Sequence, residues 1–184
     1  MAYRLETERL LLRPFRAGDI DALFAIQSRP DVARYLYWGP RSRDEVRAAL
    51  KVKLASTHLR GEGDVLALAM ELTATGEMIG DVILHWVSEA HGQGEIGYVV
   101  HPDHAGHGYA TESCRPLLRI AFEDLRLHRV IGRLEPGNTA SARVLEKLGM
   151  RPEAHLVENE YVKGGWQSEL VYAILDREWR ATQA

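Results

Sequence analysis

Cysteine is almost missing from this sequence: Cys114 stands alone in 184 residues, so no intrachain disulfide can form. That excludes a disulfide-stapled scaffold and fits a reducing compartment. Long apolar runs are missing too. No stretch approaches the ~18 apolar residues of a membrane-spanning helix, so no membrane partner is expected. The first residues, Met1-Ala2-Tyr3-Arg4-Leu5-Glu6, pass almost at once into a strand pattern. No secretory leader is expected, and the cytoplasm is the expected location. Neither charge sign dominates: 23 Lys and Arg against 26 Asp and Glu leave a formal net charge of −3. Such a balance argues against nucleic acid as the main partner. Repeats, linkers and low-complexity tracts are also lacking. What remains is an ordinary globular composition, 46% hydrophobic and 27% charged. One domain over residues 1–184, with enough chain for a good core, is expected.

Leu10-Leu11-Leu12-Arg13-Pro14-Phe15 predicts a first strand, ended by its proline. Asp19 is placed to cap a helix carrying Ile20, Leu23, Phe24 and Ile26, which closes near Ser28-Arg29-Pro30. Ser42-x-x-Glu45 is a capping-box pattern and opens a predicted helix over 43–60. Segments 65–72 and 78–87 predict two strands, with hairpin-turn chemistry at Ala74-Thr75-Gly76-Glu77 between them. A fourth strand starts at Glu95. A helix over 108–125 places Leu117, Leu118, Ala121, Phe122 and Leu125 on one side. A strand at 130–134 follows, and Asn138 caps a short helix with Val144, Leu145 and Leu148 inward. Gly149 suits the C′ position of that helix. Segments 154–161 and 166–175 predict a final hairpin around Lys163-Gly164-Gly165. The sum is a mixed α/β domain whose central sheet has about seven strands.

The densest local signal is Glu95-Ile96-Gly97-Tyr98-Val99-Val100-His101-Pro102, followed by Ala105-Gly106-His107-Gly108-Tyr109-Ala110-Thr111-Glu112. An apolar strand stops at a proline, a glycine-spaced loop turns the chain, and a helix begins. This order aims consecutive backbone N–H groups beyond the strand end. A helix N-terminus adds about half a positive charge there, so the site suits a pyrophosphate. A Rossmann fingerprint fits poorly, because the third glycine and the repeated βαβ pattern are both lacking. A P-loop is excluded, since no Gly-Lys-Ser/Thr follows.

These segments, in this order, resemble the GNAT N-acetyltransferase superfamily, specifically its RimJ/RimL-like branch. The resemblance also rests on Glu6-Thr7-Glu8-Arg9-Leu10-Leu11-Leu12-Arg13, on Asn138-Thr139-Ala140-Ser141-Ala142-Arg143-Val144-Leu145-Glu146-Lys147-Leu148-Gly149-Met150, and on the last hairpin with Trp166 and Tyr172. It covers residues 5–180. It implies the GNAT fold: a mostly antiparallel sheet splayed between strands four and five and flanked by about four helices. It further implies acetyl-CoA as cofactor and an amine as acceptor, transferred by direct attack. One departure is Ala105, which stands where the family loop often carries Arg or Gln. A grip made mainly of backbone amides should tolerate that loss.

By resemblance, Ala105, Gly106, His107, Gly108, Tyr109, Ala110 and Thr111 hold the cofactor's diphosphate. Tyr98, Val99 and Val100 lie along its pantetheine arm, with a strand N–H stabilising the oxyanion. Asn138 also holds that arm, and Ser141, one helical turn on, donates a proton to the departing thiolate. Glu95 accepts the amine's proton through water. Tyr37, Trp38 and Trp86 are the candidate walls of the acceptor cleft. His101, His104 and His107 recur every third residue, yet no acidic fourth ligand is evident, so no metal is expected. Cys114 reads as a packed residue rather than a nucleophile. An α-amine with pKa near 8 costs about 1.4 kcal/mol to neutralise at pH 7, whereas a lysine-type amine costs about 4.6. A weak carboxylate base therefore favours an α-amine. Protein N-termini, polyamines and small amines all stay open as acceptors, as do a monomer and a homodimer. A non-catalytic acyl-CoA sensor or an interaction module of the same fold is the alternative.

Overall fold

The structure, a computed structural model, describes residues 3–183. Eight strands form a single sheet in the order β1-β2-β3-β4-β5-β6-β8-β7. They are β1 (Leu5–Glu6), β2 (Leu10–Pro14), β3 (Val65–Leu72), β4 (Met78–Ser88), β5 (Gln93–Val100), β6 (Arg129–Leu134), β7 (Arg151–Val162) and β8 (Gly165–Leu175). The helices are α1 (Ile20–Gln27), α2 (Pro30–Ala33), α3 (Arg43–Ala55), α4 (Tyr109–Arg119), α5 (Thr139–Lys147) and α6 (Asp176–Ala181). The expected mixed α/β class holds. The eighth strand is the two-residue β1, and the helices beyond the expected four are the short α2 and α6.

Every neighbouring pair is antiparallel except β5 and β6. That parallel pairing lasts only three residues: Gln93↔Arg129, Gly94↔Val130 and Glu95↔Ile131. Beyond it the strands diverge, so β5 from Ile96 to Val100 pairs with β4 on one edge alone. This is the splay expected between strands four and five, shifted by one in number because β1 comes first.

Strand alternation sends the two faces of the sheet into separate cores. Leu10, Leu12, Leu66, Leu68, Val82 and Leu84 meet Leu117, Leu118 and Phe122 of the α4 segment. On the other face Ala67, Ala69 and Met78 meet Leu23 of α1 and Val46 and Leu50 of α3. Full burial of a Leu or Phe side chain stabilises by about 1.5–3 kcal/mol, so these two layers dominate the fold.

Three local expectations need correction. The helix predicted over 43–60 starts as expected, with Ser42 N–H donating to Glu45 Oε2 at 2.7 Å and Glu45 N–H returning to Ser42 Oγ. It ends at Ala55, because the Ser56 carbonyl turns away to accept the Ala67 N–H at 2.8 Å. The helix predicted over 108–125 is α-helical only to Arg119; residues Ile120–Asp124 form a wider π turn. Ile120, Ala121 and Phe122 are all buried, and the wider turn lets three consecutive residues face inward. Asp19 does not cap α1 with its side chain. Its carboxylate takes two 2.9 Å bonds from the buried Arg13 guanidinium, which needs a counter-charge there.

Candidate active site

The loop between β5 and α4 is built by its residue types. Pro102 starts a 3-10 turn, in which His104 N–H donates to His101 O and Ala105 N–H to Pro102 O. Gly106 and Gly108 then adopt φ of 81° and 84°, the left-handed region that glycine enters without strain. From Gly106 to Thr111, six consecutive backbone N–H groups find no acceptor among the described residues; the next one, Glu112 N–H, donates to Gly108 O. His104 and Ala105 spend their amides inside the turn, so the open cradle begins one residue after Ala105. The loop is pinned from below by Glu112. Its carboxylate accepts from Thr7 Oγ1 at 2.6 Å, and from Arg9 N–H and Nε at 2.8 Å each.

Beside the cradle, a side-chain pair bridges the splay. Tyr98 on β5 places its hydroxyl 2.8 Å from Ser141 Oγ and 3.0 Å from Ser141 O on α5. Burial pushes the Tyr98 phenol well above its ordinary pKa, so it stays protonated. Asn138 caps α5, its Oδ1 accepting the Ser141 N–H at 3.1 Å. The cap thereby fixes the residue whose hydroxyl faces Tyr98.

On the α3 side, the sheet and the 36–41 segment enclose a cavity of about 490 Å³ lined by Tyr37, Trp38, Asp81, Glu95, Val99 and Arg133 among others. Glu95 is not free there. Arg133 on β6 grips both of its carboxylate oxygens, at 3.1 and 3.0 Å. The same guanidinium lies 3.8 Å from Glu169, which accepts the Tyr37 hydroxyl at 2.5 Å. The Glu95 bond is the chief reason the Arg133 guanidinium is raised. Burial, aided by Glu169, raises the Tyr37 phenol.

Tyr37 and Trp38 thus line the cavity, but Trp86 does not. On β4 it alternates with Asp81 and Ile83 and packs against the α4 core on the opposite face. The three loop histidines turn to different neighbours: His104 Nε2 lies 3.2 Å from Glu77, and His107 stacks on Tyr109 with centroids 5.8 Å apart. Cys114 is fully buried, and burial pushes its thiol up to about 12. A second hollow of about 450 Å³ opens between α4 and α6 and touches none of the expected catalytic, cofactor or acceptor residues.

Sequence reasoning missed three cavity residues: Arg41, Asp81 and Arg133. A charge set among Ile79-Gly80-Asp81-Val82-Ile83-Leu84 was the available signal, because a central strand rarely buries a carboxylate without purpose.

A family model for the acetyltransferase (GNAT) domain matches residues 9–151. YnaD of Bacillus subtilis, an uncharacterized N-acetyltransferase, is 30% identical over 95% of this chain and 98% of its own. A GNAT-family acetyltransferase from Bacillus anthracis superposes with a TM-score of 0.85 at 29% identity, over 96% of this chain and all of that one. A spermidine N-acetyltransferase from Vibrio cholerae, solved with CoA and spermine, shares the fold with a TM-score of 0.78 at 23% identity, over 95% and 99% of the two chains. This chain belongs to the GNAT acetyltransferase family. It is an acetyl-CoA-dependent N-acetyltransferase.

Proposed function

We propose that the protein passes the acetyl group from acetyl-CoA directly to a primary amine while both are bound. The observation that carries this reading is the run of six unpartnered amides from Gly106 to Thr111, opening beside the unpaired edge of β5. The amides and the α4 N-terminus hold the diphosphate, and the pantetheine arm runs along β5 as a strand substitute. A backbone N–H at Val99 or Val100 polarises the thioester carbonyl.

The amine nitrogen bonds to the carbonyl carbon and the C–S bond breaks. The nitrogen's proton leaves through water to Glu95. The thiolate takes a proton from Ser141 Oγ as the Tyr98 phenol passes its own to that oxygen over 2.8 Å, and solvent returns the proton to Tyr98 when CoA leaves. Carboxylates as a class are weak bases, and Glu95 is held in place by the Arg133 guanidinium. A weak base suits an acceptor that is cheap to neutralise, which favours an α-amine or a similarly acidic ammonium over a lysine-type amine.

Initial-velocity kinetics with thiol release as the readout test the reading. Intersecting lines for acetyl-CoA and amine are expected. Parallel lines would reveal a covalent acetyl-enzyme and overturn direct attack, and absence of CoA uptake by calorimetry would overturn the cofactor cradle.

A further inference from the structure

Among the charged residues lining the cavity, Asp81 and Arg41 are opposite in sign and form no salt bridge with each other among the described residues. Asp81 on β4 is 4% exposed and lines the cavity. Its Oδ2 accepts from Lys53 Nζ of α3, while Oδ1 has no hydrogen-bond partner. A buried carboxylate oxygen without a donor is costly, so a ligand donor is the natural occupant. Arg41 lines the same cavity. It donates one N–H to Gln27 Oε1 at 2.9 Å and lies 4.2 Å from the Trp38 ring centroid, but no carboxylate pairs with it among the described residues. Partial burial lowers its pKa by more than the nearby Glu45 and Asp81 charges raise it.

Register puts this pair at the reacting end. Asp81 lies directly across from Val99, whereas Glu95 lies across from His85, four residues or about 13 Å further along the strand. The cavity wall also carries the apolar side chains Leu36, Val52, Ala67 and Ile83, beside the polar Gln27 and Ser56. At about 490 Å³ the space is of small-molecule size.

We infer that the acceptor is a small amino carboxylate with an apolar side chain, its amino group held by Asp81 Oδ1 and its carboxylate by Arg41. The inference rests on the acetyltransfer reading above and names the acceptor of that same site. Lys53 engages Oδ2 alone and so leaves Oδ1 without a donor. The proton released on attack passes first to Oδ1, the nearer carboxylate, and leaves through cavity water toward Glu95. Arg41 touches only the acceptor's carboxylate and so selects rather than reacts.

The test compares matched trios in the thiol-release assay: L-leucine, L-leucinamide and isopentylamine, then L-phenylalanine, its amide and phenethylamine. The free amino acids are expected to exceed their partners in kcat/KM by about 10-fold or more, the scale of a charge-assisted pair. Arg41→Met, which keeps the stem over Trp38, should erase that preference. Asp81→Asn should raise KM and lower kcat for all six amines while leaving CoA affinity intact. Arg41 is partly exposed, so its variant folds even if Asp81→Asn does not. Equal rates across each trio, or an Arg41→Met enzyme with undiminished preference, overturn the inference while the acetyltransfer reading survives. Preference for peptides or polyamines does the same. Failure of every amine, with CoA bound, defeats both.

Discussion

Gly80 governs the reaction centre by what it lacks. A Cβ built there would stand 2.2 Å from the Val99 carbonyl oxygen and 3.0 Å from the Val100 Cα. Both contacts are backbone, so β5 itself would have to shift at the site proposed for the thioester. Gly80→Ala should therefore destabilise by about 1–3 kcal/mol, read by urea denaturation, and lower kcat more than it weakens CoA binding. Glu95→Gln keeps one hydrogen bond to Arg133 but loses the charge. A fall in kcat of about 10- to 100-fold at neutral pH, with CoA affinity unchanged, is expected. Turnover that stays at the native level from about pH 6 to pH 9 removes Glu95 from proton transfer. Legibility at this scale followed parity and charge. Tyr37 and Trp38 line the cavity. Trp86 shares parity with Val82 and Leu84, and that alternation already turned it toward the α4 core. Arg133 hid inside a short apolar strand, and nothing local tied it to Glu95, 38 residues earlier.

At the scale of elements, α4 depends on a tether from the start of the chain. Glu112, in its first turn, joins α4 to Thr7 and Arg9, which flank the turn into β2. Burial alone would raise its pKa, but the bonds from Thr7 and Arg9 outweigh this and hold the carboxyl below 4.5. A lowered folded-state pKa means stability that is present above the unfolded value and lost as pH falls through the folded one. Wild type should exceed Glu112→Gln by about 1–3 kcal/mol at pH 7. The gap should close below about pH 4.5, as chemical denaturation across pH would show. The helix starts were readable because capping is local: Ser42, Asn138 and Gly108 each mark one. Their ends were less so. The Ser56 carbonyl leaves α3 for Ala67, and the π turn after Arg119 serves core packing, both long-range effects absent from a local pattern.

For the molecule as a whole, cofactor binding should read out as stability. Acetyl-CoA at 100 times its Kd adds about 2.7 kcal/mol. For a chain of this length that raises Tm by about 5–11 °C. A Tm unmoved by saturating acetyl-CoA would contradict the cradle. The strands from β2 to β5 were legible from turn signals and strand spacing, and the β3–β4 hairpin from its turn. The splay was not. It depends on how β6 returns beside β5 after α4, a pairing that periodicity cannot register and that only the ordered family motifs implied.

Three rungs of parallel ladder, Gln93 to Glu95 against Arg129 to Ile131, join the five-strand leaf to the three-strand leaf, with the Gly92 carbonyl accepting the His128 N–H just before them. Such a seam behaves as a hinge, latched by Tyr98 on Ser141 and by Arg133 on Glu95. A pantetheine arm seated in the opening would act as a wedge that mends the sheet, so the leaves should breathe least when the cofactor is home. Amide exchange at Ile96 to Val100 should then slow with acetyl-CoA far more than exchange in β2 or β3, making the cofactor a structural strand as well as a reagent.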